Sequence, residues 1–351
     1  MKRVWLPVLA VVALVVVVML RQAQHEGADG KPVVKIGTLF PLTGNMAHVG
    51  KTLQGAVEVA VNDANKNPDN RYFYEVVSED SMLNMAKSAA IASKMISLDK
   101  VDAMISFAAD IGNAVVPVAE KSKVIHFAMS VDPSGASGEY NFINWTMPDS
   151  STDKMVEIIK EKGFENVAIV SFNQSGALAN SNMLKAKLDR EGIVNNLYKF
   201  NPDIRDFRMD IEKMNEAGAC LYVLRMFEPQ MSVFIKQLRE LGIEAEVTSV
   251  ELFGLVEDKS VIKGHWYVDV ANENFDKLRE IKSYNGSDTD YALGMAYDDV
   301  MLIVKAFEAA DDKEGAVEAL AWIEIFHGIA GVLIQDENGI FDSEASFRIV
   351  E

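Results

Sequence analysis

From Val33 to Val250 short apolar runs alternate with amphipathic stretches of helical period. Val33 to Leu39 reads as a buried strand. After the loop Pro41-Leu42-Thr43-Gly44-Asn45, the residues Val49, Leu53, Ala56, Val57, Ala60, Val61 and Ala64 recur at helical spacing and make one apolar face. Tyr72 to Ser78 is the next strand, Asn84 to Leu98 a helix, Val101 to Phe107 a strand, Gly112 to Lys121 a helix and Lys123 to Met129 a fourth strand. Strands separated by helices require right-handed crossovers and a mainly parallel sheet covered on both faces.

A break falls at Trp145 to Ser151, where turn formers gather and Asp149 to Thr152 can start a new helix. The rhythm then resumes with helix Thr152 to Lys162, strand Asn166 to Phe172, helix Ala177 to Glu191, a strand near Asn195 to Phe200, helix Asp206 to Ala217, strand Cys220 to Leu224, helix Pro229 to Leu241 and strand Ala245 to Val250. Two α/β units of similar size stand in series. From Asn272 the pattern turns helical, and the chain closes on an expected hairpin in which Val332 to Gln335 pairs with Ser346 to Val350 around Asp336-Glu337-Asn338-Gly339.

The first residues do not fit this scheme. Behind Lys2 and Arg3, the stretch from Val4 to Leu20 is apolar apart from Pro7, which reads as an export signal. Its length also meets the lower limit for a bilayer span, so a cleaved signal and a retained anchor both stay open. The body is expected outside the cytoplasm, in the periplasm or on the outer face of the cytoplasmic membrane. The whole chain has 34 Lys+Arg against 52 Asp+Glu, a formal charge of −18. Residues 1–24 hold Lys2, Arg3 and Arg21 and no acid, so the rest carries 31 basic against 52 acidic residues, or −21. That surplus repels phosphate and argues against a nucleic-acid partner. With Cys220 as its one cysteine the chain forms no internal disulfide. Cys220 opens an apolar run and is expected to be a small buried hydrophobe.

Signals for catalysis are missing. There is no G-x-G-x-x-G after a strand, no G-x-x-x-x-G-K-[ST], no H-E-x-x-H and no G-x-S-x-G. The five histidines are scattered, which suits structural roles better than a metal site, and no cofactor is implied. Acid pairs such as Asp298-Asp299 are expected on a solvated surface. The informative positions are then the loops at the C-terminal ends of parallel strands, where open α/β sheets hold ligands. These are 41–50, 107–112 and 129–138 in the first unit, and 172–176, 225–229 and 251–254 in the second.

Val34-Lys35-Ile36-Gly37-Thr38-Leu39-Phe40-Pro41-Leu42-Thr43-Gly44, followed by Gly50 and Gly55-Ala56, resembles the opening of type I periplasmic solute-binding proteins, the branched-chain amino acid receptors of ABC importers. Ser78-Glu79-Asp80, Trp145 to Ser150, Tyr291 to Asp298, and Gly331 with Asp336 to Gly339 agree with it in order. The resemblance implies an α/β fold of two Rossmann-like lobes with mainly parallel sheets joined by three hinge crossings. Lobe one is expected at 33–147 plus 271–327 and lobe two at 148–270 plus 328–351, behind a signal or anchor at 1–24 and a linker at 25–32. It implies a non-enzymatic receptor for an amino acid or similar small molecule, delivering to an ABC permease in the inner membrane. A membrane-tethered sensor or scaffold with the same clamshell is the alternative.

The same resemblance places Ala128 and Ser130 at the ligand's carboxylate and Glu251 at its ammonium, with a helix N-terminal acid as the other reading of Glu251. The chain departs from the family at Phe107-Ala108-Ala109-Asp110, where hydroxyls for the carboxylate are replaced and an anion is added. Asp110 either caps the following helix or meets a cationic or hydroxylated ligand. Ser175 and Phe227 alter the walls expected in lobe two, Phe107 and Phe227 offer apolar surface, and Val49 in the first loop completes the candidate set.

Overall fold

The computed structural model describes residues 30–256, 258–286, 289 and 291–350. The expected signal or anchor, 1–24, lies outside the described residues. Among those described, no helix is long and apolar enough to cross a membrane.

Strands β1 (Val33–Phe40), β2 (Phe73–Asp80), β3 (Ala103–Phe107), β4 (Ile125–Met129) and β5 (Asn141–Asn144) form parallel neighbours in a first sheet. Helices α1 (Ala47–Lys66), α2 (Met85–Lys94) and α3 (Ala109–Ser122) connect the first four. Every residue of β3 and β4 is buried, as expected for strands covered on both faces. The expected face of α1, from Val49 to Ala64, points inward. Gly50 allows this helix to close on the end of β1, because a Cβ there would overlap the Pro41 carbonyl. β5 has no counterpart in the hydrophobic pattern, since half of Asn141-Phe142-Ile143-Asn144 is amide. These amides turn to internal partners: the Asn141 oxygen meets His126 Nδ1 at 2.9 Å, and Asn144 Nδ2 donates to the Met295 carbonyl at 3.2 Å.

The second unit contributes α4 (Pro148–Glu161), β6 (Asn166–Phe172), α5 (Ser175–Arg190), β7 (Val194–Phe200), α6 (Arg208–Glu216), β8 (Leu221–Arg225), α7 (Gln230–Glu240), β9 (Glu246–Ser249) and β10 (Trp266–Val270). Its parallel sheet runs β7-β6-β8-β9, and a bridge between Val250 and Val268 attaches β10. After α8 (Phe275–Asn285), α9 (Leu293–Ala309) and α10 (Lys313–Ala321) come four short strands, β11 (Ile325–Gly328), β12 (Gly331–Gln335), β13 (Ile340–Ser343) and β14 (Ala345–Ile349).

These last strands correct two expectations. β12 pairs with β13, not with 346–350, because the Asp336 carboxylate receives the Asn338 and Ile340 N–H groups and Gly339 turns at φ +81°, so the chain reverses at once. The first sheet therefore runs β11-β12-β13-β5-β4-β3-β1-β2, and residues 328–343 extend it instead of joining the second lobe. Burial of Phe341 against Phe127, with ring centroids 6.1 Å apart, holds β13 there. Only β14 crosses over, pairing antiparallel with β10. The chain thus passes between lobes three times, at 145–147, 271–274 and Glu344.

Two side-chain expectations also change. Asp298 and Asp299 are buried, at 1% and 0% exposure, because the first half of α9, 293–300, is covered on all sides. Asp298 accepts the Ile329 and Ala330 N–H groups at 2.9 and 2.8 Å and so anchors the turn between β11 and β12. Both oxygens of Asp299 lack a hydrogen-bond partner. Burial pushes the Asp298 carboxyl up to about 7 and raises Asp299 well above the ordinary carboxylate range. Cys220 is exposed, not buried; it lies just before β8, and its thiol donates to the Asn166 carbonyl.

A carboxyl raised by folding retains a proton that the unfolded chain has released, so its contribution to stability is full below its unfolded value of 3.8 and falls as pH rises through the folded one. Asp299→Asn removes that liability. Its Tm is expected to exceed wild type by a few degrees near about pH 8, with the difference shrinking towards about pH 4. A difference that does not vary with pH in thermal melts would show that Asp299 titrates as an ordinary acid.

Candidate functional site

The lobes meet through loops at the C-terminal ends of their parallel strands. Phe107 ends β3, Trp145 follows β5 and Tyr291 precedes α9. These three buried rings form a triangle, with centroids 6.4 Å apart for Phe107–Trp145 and Phe107–Tyr291 and 5.9 Å for Trp145–Tyr291. From the second lobe β8 brings Arg225 and the turn after β9 brings Glu251.

Glu251 is 4% exposed. Trp145 Nε1–H donates to its Oε2 at 3.3 Å, while Oε1 has no partner. It does not act as a helix N-terminal acid, because its side chain bonds no N–H of the 3₁₀ turn Leu252–Leu255. Burial pushes its carboxyl up to about 7, against the opposing pull of Arg225 and Trp145. Arg225 is likewise 4% exposed; its Nη1 donates to the Val250 carbonyl and its Nε is unpartnered.

Backbone strain collects around the triangle. Ala108, Glu251 and Ala292 hold φ at +82°, +63° and +56°, each adjoining a ring or a charge of the cluster. Such conformations cost about 1–3 kcal/mol each in residues with a side chain and persist only where the surroundings impose them.

The structure brings some candidates together and separates others. Phe107 and Glu251 are in the cluster. Ala108 begins α3 from the N-cap position, so Asp110 lies in its first turn and does not cap it. Asp110 instead accepts a hydrogen bond from Ser175 Oγ at 3.0 Å, which links the lobes at the exposed rim. Ser130 is buried, and its Oγ accepts the Asp132 N–H at 3.0 Å within its own turn. Phe227 is half-buried, with its ring 6.3 Å from that of Phe172. Val49 and Ala128 are packed in the core, Ala128 so tightly that a Cβ on Gly112 or Gly135 would come within 3.0 Å of its own. Among the described residues no group of His, Cys, Asp and Glu is placed to hold a metal.

Trp145, Tyr291 and Arg225 are absent from the expected set. Arg225 had a visible signal, a charge closing the apolar strand Leu221-Tyr222-Val223-Leu224 at the end where ligands sit. Trp145 and Tyr291 lie in segments that carry the resemblance to the family, and nothing local shows that they converge.

A family model described as periplasmic binding protein matches residues 33–341. No curated protein matches the sequence. Similar solved structures include leucine binding protein LivK of Thermotoga maritima, 21% identical over 91% of this chain and 95% of that one, with a TM-score of 0.81. The branched-chain amino acid transporter substrate binding protein LivJ of Streptococcus pneumoniae, in complex with isoleucine, is 20% identical over 90% and 96%, TM-score 0.80. A solute binding protein of an ABC transporter from Rhodopseudomonas palustris, in complex with 3,4-dihydroxy benzoic acid, is 17% identical over 91% and 93%, TM-score 0.79. The chain belongs to the periplasmic binding protein family, whose members are extracytoplasmic solute-binding proteins, not enzymes.

The position of Glu251 has a measurable effect. Its carboxyl moves from 4.5 to about 7 on folding, so its contribution to stability is full below pH 4.5 and is lost as pH rises through 7, by about 3 kcal/mol. Glu251→Gln carries no such proton and is expected to gain on wild type by that amount between about pH 4.5 and pH 8. Denaturant unfolding at both pH values measures it, and parallel profiles for the two proteins would refute the raised carboxyl.

Proposed function

We propose that the protein is an extracytoplasmic receptor that captures a small organic solute, an amino acid or amino-acid-like compound, between its lobes and delivers it to an ABC permease in the inner membrane. The observation that carries this reading is Glu251, a buried carboxyl with one oxygen unpartnered at the seam between lobes. A buried polar atom left without a hydrogen bond costs about 1–3 kcal/mol. A solute presenting an N–H or O–H there restores the missing bond, and the Phe107, Trp145 and Tyr291 rings supply apolar surface beside it.

Closure follows from the same arrangement. Trp145 to Glu251 and Ser175 to Asp110 are bonds between lobes, one at the centre and one at the rim. A solute contacting both lobes adds to these bonds and favours the closed form by its differential affinity. The names of similar structures support the size class, since isoleucine and 3,4-dihydroxy benzoic acid are both small organic acids.

A solute bound only by the folded form raises the melting temperature. Melting the purified protein against a panel of amino acids, amides and aromatic acids is expected to show a rise of several degrees for at least one compound. No rise for any compound, together with no small molecule released from denatured protein in mass spectrometry, would sink the receptor reading.

A further inference from the structure

The first sheet carries a pocket at the N-terminal ends of its strands, opposite the loops that form the seam. Its volume is about 320 Å³, and Lys35, Lys100, Asp102, Ser122 and Lys313 are among its lining, over an apolar floor that includes Val124. These residues come from β1, the start of β3, the helix ends that precede β3 and β4, and the start of α10, so nothing from 148–270 contributes. The eight residues of β1, about 26 Å of strand, separate this recess from the seam.

The chain as a whole carries −18, yet three lysines converge here. The acids beside them are matched: Asp102 pairs with Lys313 at 2.7 Å, Asp99 with Lys94 at 2.9 Å and Glu314 with Lys123 at 3.7 Å. Lys35 and Lys100 are left over. Neither forms an ion pair among the described residues, and Lys35 Nζ has only a long bond, 3.4 Å, to the Asp99 carbonyl.

The backbone singles out the same place. After α4, α5, α6, α7 and α8 the chain turns through a left-handed glycine, at Gly163, Gly192, Gly218, Gly242 and Gly286. After the helical turn that extends α2, and again after α3, that position is a lysine: Lys100 at φ +61° and Lys123 at φ +54°. A side chain is unfavourable in this conformation. The helix dipole does not call for these two, since Lys94 and Lys121 already stand in the last turns of α2 and α3.

From the two unpaired ammoniums in this recess we infer a second binding site, for a phosphate monoester, with its phosphoryl group between Lys35 and Lys100 and its organic part on the apolar floor. A phosphate monoester carries about −1.5 to −2 near neutral pH and so balances both ammoniums, where a carboxylate balances one. Lysine serves such a group as a point charge. The acidic surplus that repels a long polyphosphate chain is spread over the whole surface and is screened beyond about 8 Å at physiological ionic strength, so it leaves a single ester free to enter. Because no residue of 148–270 lines the pocket, filling it needs no closure of the lobes, and the inference stands apart from the receptor reading. A soluble ester and a lipid whose headgroup is a bare phosphate offer the same chemistry.

Two arms distinguish these sources, both with the full chain at low salt. One is isothermal titration with glycerol 3-phosphate, beside glycerol as the uncharged control; the other is co-sedimentation with phosphatidylcholine vesicles with and without phosphatidic acid. Binding of glycerol 3-phosphate but not of glycerol points to a soluble ester, and sedimentation that rises with phosphatidic acid while the free ester does not bind points to a lipid; either result supports the site. The double variant Lys35→Gln/Lys100→Gln is expected to lose that binding about tenfold or more. Lys199→Gln/Lys236→Gln, which removes the same charge from the second unit, is expected to keep it. Circular dichroism and Tm show whether each variant is folded, and Lys100→Gln alone, at an exposed position, serves if the double variant is not. Neither probe binding better than its neutral control overturns the inference. So does a folded Lys35→Gln/Lys100→Gln or Lys100→Gln protein that binds like wild type, or equal loss in the Lys199→Gln/Lys236→Gln control, which would mean diffuse attraction only. None of these results bears on the solute panel, so the receptor reading stands or falls separately.

Discussion

The short strand β13 holds the two halves of this protein in register. Its one carboxylate, Asp342, accepts the Met147 N–H at 2.8 Å and the Ser150 hydroxyl at the head of α4. Its neighbour Ser343 shares a 2.6 Å hydrogen bond with Thr146, and the Phe341 carbonyl receives the Trp145 N–H. One further bond, from the Ala271 N–H to the Glu344 carbonyl, draws in the remaining crossing. The three passages between lobes therefore lie side by side as one hydrogen-bonded strap. Trp145 belongs to that strap, so its indole reaches Glu251 from a position the strap defines.

Around the seam the energetics run against stability. One unpaired oxygen on Glu251, one unpaired nitrogen on Arg225, and positive φ at Ala108, Glu251 and Ala292 are each unfavourable. They are tolerated because the sheets behind them are continuous apolar cores: β3 and β4 in one lobe and β8 in the other are buried along their whole length. Asp298 differs in kind, since both of its oxygens are used to fix the β11–β12 turn.

Most of the α/β alternation was legible because parallel strands covered on both faces must be short, apolar and separated by amphipathic helices. β5 was hidden by two asparagines whose partners, His126 and Met295, are remote in sequence. The pattern places the final hairpin one strand too far along, since the apolar alternation of 346–350 looks no worse than that of β13; the Asp336 turn and the packing of Phe341 decide between them. Two adjacent acids on a helix normally mean solvent, and Asp298-Asp299 fails that rule because the first half of α9 is enclosed by neighbours that no local pattern reveals. At the site, Phe107 and Glu251 could be placed by the resemblance, whereas the convergence of Trp145, Tyr291 and Arg225 depends on how the lobes meet.

The exposed thiol of Cys220 gives the molecule a practical asymmetry. It sits at the start of β8 and Arg225 at its end, so a strand of buried residues, about 16 Å of rigid scaffold, separates them. Since the chain contains no second cysteine, a fluorophore or spin label attached there marks lobe two alone. A label at this place is fastened to the same strand that presents the guanidinium, and it reads the orientation of that lobe as a compass needle would, without touching the seam.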